Sequence, residues 1–342
     1  MRPIHIAGFA QLPQVSRDAD HDETESVRIV TGQALDNAGL TRAEVGFTCS
    51  GSNDYRMGRP FSFAMAIDGL GAWPPIRESH VEMDGAWALY EAWVALQHGD
   101  IDVALVYAFG RASLCDADAV HTLEYDPYTL APLGVEPFSL AAMQARALLE
   151  SGQATQEDFA AQVVRDWAAA QNNPNTQSGA DVDIDALLAA PQVRSPLRQH
   201  DAANRTDGAA AIVLRAGGGG PRITGLEHRI DTHQPGTRSL TEVRSATQAV
   251  AAAGGAGGVE VAELHAPYSS QSFMLTQALG LDAGVCINPS GGAFSADTPM
   301  VAGLVRIGEA AQQVRAGAQR ALAHATAGPL LQHNLVCIME AS

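Results

Sequence analysis

Residues 85–107 read GAWALYEAWVALQHGDIDVALVY, and this stretch decides the fold class. Up to Gln97 it places apolar side chains on nearly every side of a helix, which is typical of a fully buried helix. His98-Gly99 ends that helix, and Ile101–Tyr107 then reads as a strand of a fully buried parallel sheet. A strand at Ile4–Phe9 and another helix precede this stretch, so the order of elements predicts an α/β layered fold.

The later apolar segments repeat this order, which predicts two similar halves. A helix pair at Ser139–Glu150 and Gln156–Gln171 lies in an insertion at about 114–200, and a strand at Ala209–Leu214 closes the first half. The glycines of 217–220, followed by Pro221, predict a linker between halves at 1–216 and 221–342. Further predictions are a helix at Val27–Ala38, a loop through Ser50–Asn53, strands at Val259–Leu264 and Asn334–Met339, and helices near Gln271–Leu279 and Met300–Ala316, while Val285–Ile287 leads into the turn at 288–292.

Composition excludes several classes of protein. The chain has 342 residues, 46% hydrophobic and 17% charged, with a formal net charge of −17. Proteins that bind nucleic acid or anionic membranes use a positively charged surface, so the acidic net charge argues against both kinds of partner. No apolar run approaches the roughly 20 residues of a membrane span, and the N-terminus lacks the apolar core of a signal peptide. These features predict a cytoplasmic protein.

The chain contains no lysine, since all 21 basic residues are arginine. Schiff-base chemistry requires a side-chain amine, so lysine-dependent aldolases and pyridoxal-phosphate enzymes are excluded. A P-loop is excluded because its lysine is missing. The four cysteines are far apart and the histidines lack the spacing of metal ligands, so we expect neither a disulfide framework nor a bound metal.

Several short motifs resemble those of the thiolase superfamily, in particular its sterol-carrier-protein-x and lipid-transfer-protein thiolase-like branch. Residues 288–292 (NPSGG) are similar to the thiolase turn before the Gly-His-Pro motif. Residues 206–211 (TDGAAA) are similar to the strand that closes the first half of thiolases. Residues 262–268 (AELHAPY) resemble a strand end with an "EVHDAF" pattern, and 331–334 (LQHN) also match the branch. The resemblance implies a five-layer αβαβα thiolase fold with duplicated halves and a helical insertion in the first.

The same resemblance implies where a site lies, and the catalytic cysteines are replaced there. The position of the nucleophilic cysteine falls on Glu82, or on Asp84 with a small shift in register. The histidine of Gly-His-Pro is Thr298, and the second cysteine is Thr326. Of the family's site residues, only the histidine of the strand-end motif is retained in this chain, and it is His265. A thiolase needs a thiolate to carry the acyl group, so ordinary thiolase chemistry is not expected.

Each implied site residue has a chemical role and a structural alternative. His265 is either an oxyanion donor or base at a strand end, or a structural histidine. Tyr268 is a proton donor or a packed ring, and Glu82 is a base or a helix cap. Thr298 and Thr326 are hydrogen-bond donors or inert fillers. Ser290, Gly291, Gly292 and Asp297 form the expected substrate-binding group, in which the turn offers unobstructed N–H groups and Asp297 is a base or an N-cap.

The resemblance therefore predicts an acyl-CoA-binding enzyme that cleaves a carbon–carbon bond without a cysteine. A retro-aldol reaction on a lipid or steroid 3-hydroxyacyl-CoA needs only a base and donors for the enolate oxygen. The alternatives are a catalytically silent thiolase-like subunit, a conventional acyltransferase with unusual site residues, and a decarboxylase.

The implied partners follow from the same branch. They are a second copy of the chain, forming a homodimer, and either an OB-fold zinc-ribbon protein or a second thiolase-like subunit. Coenzyme A thioester is the expected substrate, and no cofactor bound in the chain is expected. Arginines that can face its phosphates are Arg56, Arg59, Arg111 and Arg198.

Overall fold

The computed structural model describes residues 2–71, 76–176 and 181–342. The first half contains four strands and four helices before the insertion. These are β1 Ile4–Gln11, α1 Glu23–Ala38, β2 Phe47–Gly51, α2 Asp54–Met57, α3 Ser62–Leu70, β3 Glu78–Val81, α4 Gly85–His98 and β4 Val103–Arg111. The insertion adds α5 Ala117–Glu124, α6 Pro137–Glu150, α7 Gln156–Ala170, α8 Ile184–Ala189 and the hairpin β5 Gln192–Arg194 and β6 Leu197–Arg198. Strand β7, Asp207–Ala216, then completes the first half.

The second half repeats the first with its own strands and helices. Its elements are β8 Arg222–Ile230, α9 Arg244–Ala252, β9 Val261–Leu264, α10 Ser269–Ala278, β10 Cys286–Ile287, α11 Gly292–Ser295, α12 Ala302–Arg315, β11 Arg320–Ala327 and β12 His333–Glu340. The strand order is β3-β2-β4-β7-β1 in the first half and β10-β9-β11-β12-β8 in the second. In each half four strands run in one direction, and one strand, β7 or β12, pairs antiparallel with both of its neighbours. The halves are therefore two copies of one topology.

The layers are the five that the resemblance implies. The central helices α4 and α12 pack against each other and against strands of both halves, in one shared apolar core. Helices α1 and α3 cover the outer face of the first half, and α9 and α10 cover that of the second. The two half-sheets join at one edge through the pairs Ile4–Ile223 and His5–Arg222, which makes a ten-stranded sheet.

Local sequence explains the helix boundaries. Asp22 caps α1 by accepting from the Glu25 N–H, and Gly39 ends it at φ 64°. Thr155 and Asp158 form a capping box at the start of α7. The predicted helix pair of the insertion and the buried helix α4 are confirmed to within two residues at each end.

Some predicted elements were wrong or missing. The expected loop through Ser50–Asn53 begins in strand β2, which ends only at Gly51 and pairs with β3 and β4. Strands β3, β8, β10 and β11 and helix α9 were not predicted. Strand β11 reads RALAHATA, and its alanines favour a helix in isolation, but pairing on both sides with β9 and β12 makes it a central strand.

Candidate active site

His265 and Asp297 form a hydrogen-bonded pair at the end of β9. The His265 Nε2 lies 3.0 Å from Asp297 Oδ1, and both residues are largely buried. Burial alone would raise the pKa of Asp297, but the hydrogen bond from His265 and the charges of His265, Arg205 and Arg56 outweigh it and lower the pKa. The charged carboxylate therefore accepts the Nε2 proton. In neutral His265 this leaves Nδ1 without a proton, and that atom is buried without a partner.

Both halves of the chain position this pair. The His265 N–H donates to the His324 carbonyl at 3.1 Å, which continues the register of β9 against β11. Asp297 is held from the first half, because its N–H donates to the Asn204 carbonyl at 2.7 Å and its carbonyl accepts from the Thr206 N–H. The pair lies where the segment before β7 meets the strand ends of the second half.

A second buried imidazole, His324, lies in β11 beside His265. Its Nε2 is 2.8 Å from Asn334 Oδ1, while the Asn334 amide N–H groups donate to Ser245 and Leu331. Asn334 Oδ1 is thus an acceptor, so His324 carries its proton on Nε2. Burial lowers the pKa of His324 to about 4, and the charge of His265 acts in the same direction. The Nδ1 of His324 is also buried without a partner.

Asp84, and not Glu82, stands at the start of α4. Its carboxylate accepts from the N–H groups of Ala86, Gly303 and Leu304 at 2.8–3.1 Å, and so caps both central helices. Burial raises the pKa of Asp84, and these three donors act against that rise. Glu82 is about half exposed and bonds to the Asp54 N–H and to His80, so the structure does not bring it to His265.

Tyr268 lies where the insertion packs against the start of α10. It is buried at the start of α10, with its ring 5.5 Å from that of Phe138. Burial raises the pKa of Tyr268; Arg205 lowers it and Asp118 raises it. Arg205 donates to Asp118 at 2.6 Å, which ties α5 to the segment beside Asp297. Tyr268 therefore lies close to the His265–Asp297 pair.

The two threonines that replace the motif residues have structural partners. The Thr298 hydroxyl donates to Gln14 at 2.9 Å and lies 2.8 Å from the Thr206 hydroxyl. The Thr326 hydroxyl donates to the His333 carbonyl at 2.9 Å. Both are buried, so each fits the structural alternative rather than an open donor.

The turn at 288–292 is packed against the protein interior. The Ser290 N–H and hydroxyl both bond to the Glu263 carboxylate, which also accepts from Arg306 at 3.0 Å. Burial raises the pKa of Glu263 to about 7, with Arg306 lowering it and Glu309 raising it. Gly291 and Gly292 have φ of 101° and 58° and lie against α7. The expected open N–H groups are thus not brought to His265.

Gly292→Ala is expected to lower the free energy of unfolding by about 3 kcal/mol, because positive φ costs about 1–2 and overpacking a further 1–3. A Cβ on Gly292 would lie 2.4 Å from Asp166 Oδ2 and 2.5 Å from Asn288 Nδ2. Gly280→Ala is the matched control, since its φ is 66° and nothing lies within 4 Å. Urea denaturation of both variants measures the difference, and equal losses at both sites would contradict the packed turn.

The cysteines and arginines lie mostly away from the pair. Burial raises the pKa of Cys49 and Cys337 to about 12, while Cys286 is exposed and Cys115 lies in the insertion. All four cysteines lie in described parts of the chain, and none stands at a motif position.

The arginines expected to face the phosphates of CoA have partners within the protein. Arg111 binds the His21 carbonyl, Arg198 binds the carbonyls of Leu188 and Ala190, Arg59 pairs with Glu23, and Arg56 lies beside His121 and Glu124.

The described residues hold neither a cluster of metal-ligating side chains nor a helix that could span a membrane. Among the described residues, no group of three or more histidine, cysteine or acidic side chains is placed to hold a metal ion. Within 2–71, 76–176 and 181–342 there is no helix whose length and hydropathy would let it cross a membrane.

Known proteins with similar sequences or structures agree on the fold. No protein-family model matches the chain. An acetyl-CoA acetyltransferase of Methanothermobacter thermautotrophicus is 25% identical over 276 residues, which is 70% of this chain and 72% of that protein. The structure of the Ltp2-ChsH2(DUF35) aldolase matches with a TM-score of 0.81 at 18% identity, over 99% of this chain and 98% of that one. Human mitochondrial 3-ketoacyl-CoA thiolase in complex with CoA matches with a TM-score of 0.80 at 13% identity, over 100% and 98%. With its duplicated halves and this match along the whole chain, the protein has the thiolase fold.

Proposed function

We propose that the chain binds an acyl-CoA thioester and cleaves a carbon–carbon bond in it by a retro-aldol reaction, without a cysteine. The observation that carries this proposal is the buried His265 Nδ1, an unpaired acceptor on an imidazole that Asp297 orients. An imidazole held by a carboxylate is the usual general base of enzymes that remove a proton from a hydroxyl. The substrate is a 3-hydroxyacyl-CoA of a lipid or a steroid.

The proposed reaction needs no group that the chain lacks. His265 Nδ1 takes the proton of the 3-hydroxyl group, and the bond between C2 and C3 breaks. C3 becomes an aldehyde or ketone, and the electron pair moves onto C2 and the thioester oxygen as an enolate. The protonated His265 then returns the proton to C2, which yields a shortened acyl-CoA. Atoms and charge balance without free CoA and without a redox partner.

The position at the start of α4 argues against a covalent acyl intermediate. Asp84 occupies it with a carboxylate that three main-chain N–H groups already bind. A carboxylate would form only a labile anhydride with an acyl group, whereas thiolase chemistry requires a thiolate there. This supports a lyase over an acyltransferase.

The similar proteins support the same class of substrate. The curated relative is an acetyl-CoA acetyltransferase, one similar structure contains CoA, and the other is an aldolase with two named components. We propose that this chain also works as a homodimer, and that an OB-fold acyl-CoA-binding protein is its second component. The protein acts in the cytoplasm under this proposal.

A second candidate is a catalytically silent subunit that scaffolds an active partner. The observation that favours it is the structural use of the replaced motif residues. Thr298 bonds to Gln14 and Thr206, and Thr326 bonds to a main-chain carbonyl. Under this candidate the His265–Asp297 pair is a structural hydrogen bond, and the chain alone shows no turnover.

A cysteine-free variant is expected to keep lyase activity within about threefold of the wild type, because the proposed step uses no thiol. The variant is Cys49→Ala, Cys115→Ser, Cys286→Ser and Cys337→Ala combined. Mass spectrometry measures both proteins on a panel of 3-hydroxyacyl-CoA and 3-ketoacyl-CoA thioesters, with and without an OB-fold partner. The expected result is an aldehyde or ketone plus a shortened acyl-CoA, with no free CoA added.

Other outcomes of this panel overturn the proposal. Cleavage of the keto substrates that depends on free CoA and is lost in the cysteine-free variant would establish thiolase chemistry. No turnover by a folded wild-type protein, with and without the partner, would establish the silent subunit.

A further inference from the structure

Several buried polar atoms of the candidate site, the insertion and α2 have no hydrogen-bond partner. Among the described residues ten buried side-chain nitrogen or oxygen atoms lack one, and four of these belong to His265, His324, Tyr125 and Arg56. Two are acceptors, the Nδ1 atoms of His265 and His324. Two are donors, the Tyr125 hydroxyl and the Arg56 Nε. Buried polar groups are almost always paired, so a group of unpaired ones indicates a ligand that pairs them.

Tyr125 is buried at the end of α5. It is 7% exposed, and its ring packs with Leu140 of α6 and Leu330 of the loop between β11 and β12. Burial raises the pKa of Tyr125, with Glu124 and Asp118 acting in the same direction and the arginines against it. The hydroxyl therefore keeps its proton and remains a donor. A fixed phenol with an unused O–H is well suited to bind an acceptor oxygen.

Two arginines connect helix α5 with the His265–Asp297 pair. Arg205 bonds to Asp118 of α5, and its main chain forms a bridge with Asp297. Arg56 and Arg205 both act by charge on Tyr125 and on Asp297. Helix α6 connects the two regions, because its Leu140 packs with Tyr125 and its Phe138 ring lies 5.5 Å from that of Tyr268, three residues after His265. Tyr125 of the insertion and His265 of the second half therefore lie in neighbouring parts of the structure.

We infer that Tyr125 is a second catalytic residue, whose hydroxyl donates a hydrogen bond to the thioester oxygen as that oxygen becomes an enolate. This inference rests on the proposed function, which requires such a donor and does not name one. His265 Nδ1 receives the 3-hydroxyl of the substrate, and the Tyr125 hydroxyl receives its carbonyl oxygen. The hydrogen bond transfers no proton, so the balance of the reaction is unchanged.

Tyr125→Phe tests the inference, because it removes the hydroxyl and keeps the ring that packs with Leu140 and Leu330. We expect kcat to fall about 100-fold, the usual loss for one oxyanion donor, with a much smaller change in KM. Incorporation of deuterium at C2 of the acyl-CoA product in D2O should fall by a similar factor. The matched control is Tyr128→Phe, since Tyr128 is 89% exposed on the same segment; it should behave as the wild type.

A binding measurement separates this role from a structural one. Wild-type protein should bind an acyl-CoA thioester about fivefold more tightly than the matching S-alkyl-CoA thioether, which lacks the carbonyl, since one hydrogen bond contributes about 1 kcal/mol. Tyr125→Phe should lose that preference and bind the thioether as the wild type does. A variant that keeps the preference and the exchange rate would overturn the inference.

Failure of the proposed function has a different signature. If wild-type protein cleaves no substrate but exchanges the C2 hydrogen, and Tyr125→Phe does not, the lyase is wrong and the role of Tyr125 stands. If wild-type protein neither exchanges that hydrogen nor distinguishes the thioester from the thioether, both the proposed lyase function and the proposed role of Tyr125 are wrong.

Discussion

Replacement of His265 by alanine is expected to lower kcat about a thousandfold, within the 10²- to 10⁴-fold range of general bases. The unpaired Nδ1 of this residue is the atom to which the proposal assigns the hydroxyl proton, and alanine has no group to accept it. The measurement is kcat on a 3-hydroxyacyl-CoA that the panel identifies. Asp297→Asn should also lower kcat strongly, because an amide can still bond to Nε2 but no longer fixes which nitrogen carries the proton.

His98→Ala is the control for this prediction, since His98 is exposed at the end of α4. It should leave kcat unchanged. A His265→Ala protein that is folded and turns over at the wild-type rate would show that the imidazole is structural.

Replacement of Asp84 by alanine is expected to lower the free energy of unfolding by about 4 kcal/mol. Its carboxylate binds three buried N–H groups at the starts of two helices, and each buried donor left unpaired costs about 1–3 kcal/mol. Chemical denaturation measures the loss. Asp22→Ala is the matched control, because this exposed N-cap accepts a single N–H and its removal costs about 1 kcal/mol.

Asp84→Asn separates structural from chemical use of the same group. The amide oxygen still accepts hydrogen bonds, so this variant should lose less stability than the alanine variant and should keep turnover. A stable Asp84→Asn protein without turnover would mean that the carboxylate takes part in the reaction, contrary to its assignment as a cap for α4 and α12.

The sequence predicts the fold well where one element is apolar over a long stretch. The buried helix α4 and the helix pair of the insertion carry strong periodic patterns with clear end signals, so their boundaries follow from local rules. Strand β2, Phe47–Gly51, has a threonine, a serine and a glycine among its five residues, and β11 is rich in alanine. Their conformation depends on neighbouring strands that are distant in sequence, which no local pattern encodes.

The sequence likewise predicts those site residues that lie in local motifs, but not the contacts between distant segments. His265 was found through its motif at a strand end, and Asp297 through the sequence that replaces Gly-His-Pro. Their hydrogen bond joins residues 32 positions apart and depends on how β9 and α11 pack. His324 stands two residues before Thr326 in β11, a strand that was not predicted. Tyr125 lies in the insertion, where no motif pointed to it.

The position of β7 determines when the first half-sheet can be completed during synthesis of the chain. This strand lies between β1 and β4, yet residues 112–206 separate it from the end of β4. On the ribosome, the edges of β1 and β4 therefore stay open while the whole insertion emerges. In the second half the corresponding strand β12 follows β11 after residues 328–332 alone. Open strand edges attract other chains, so the nascent first half is more prone to misassembly than the second, and the insertion lengthens the time for which its edges are exposed.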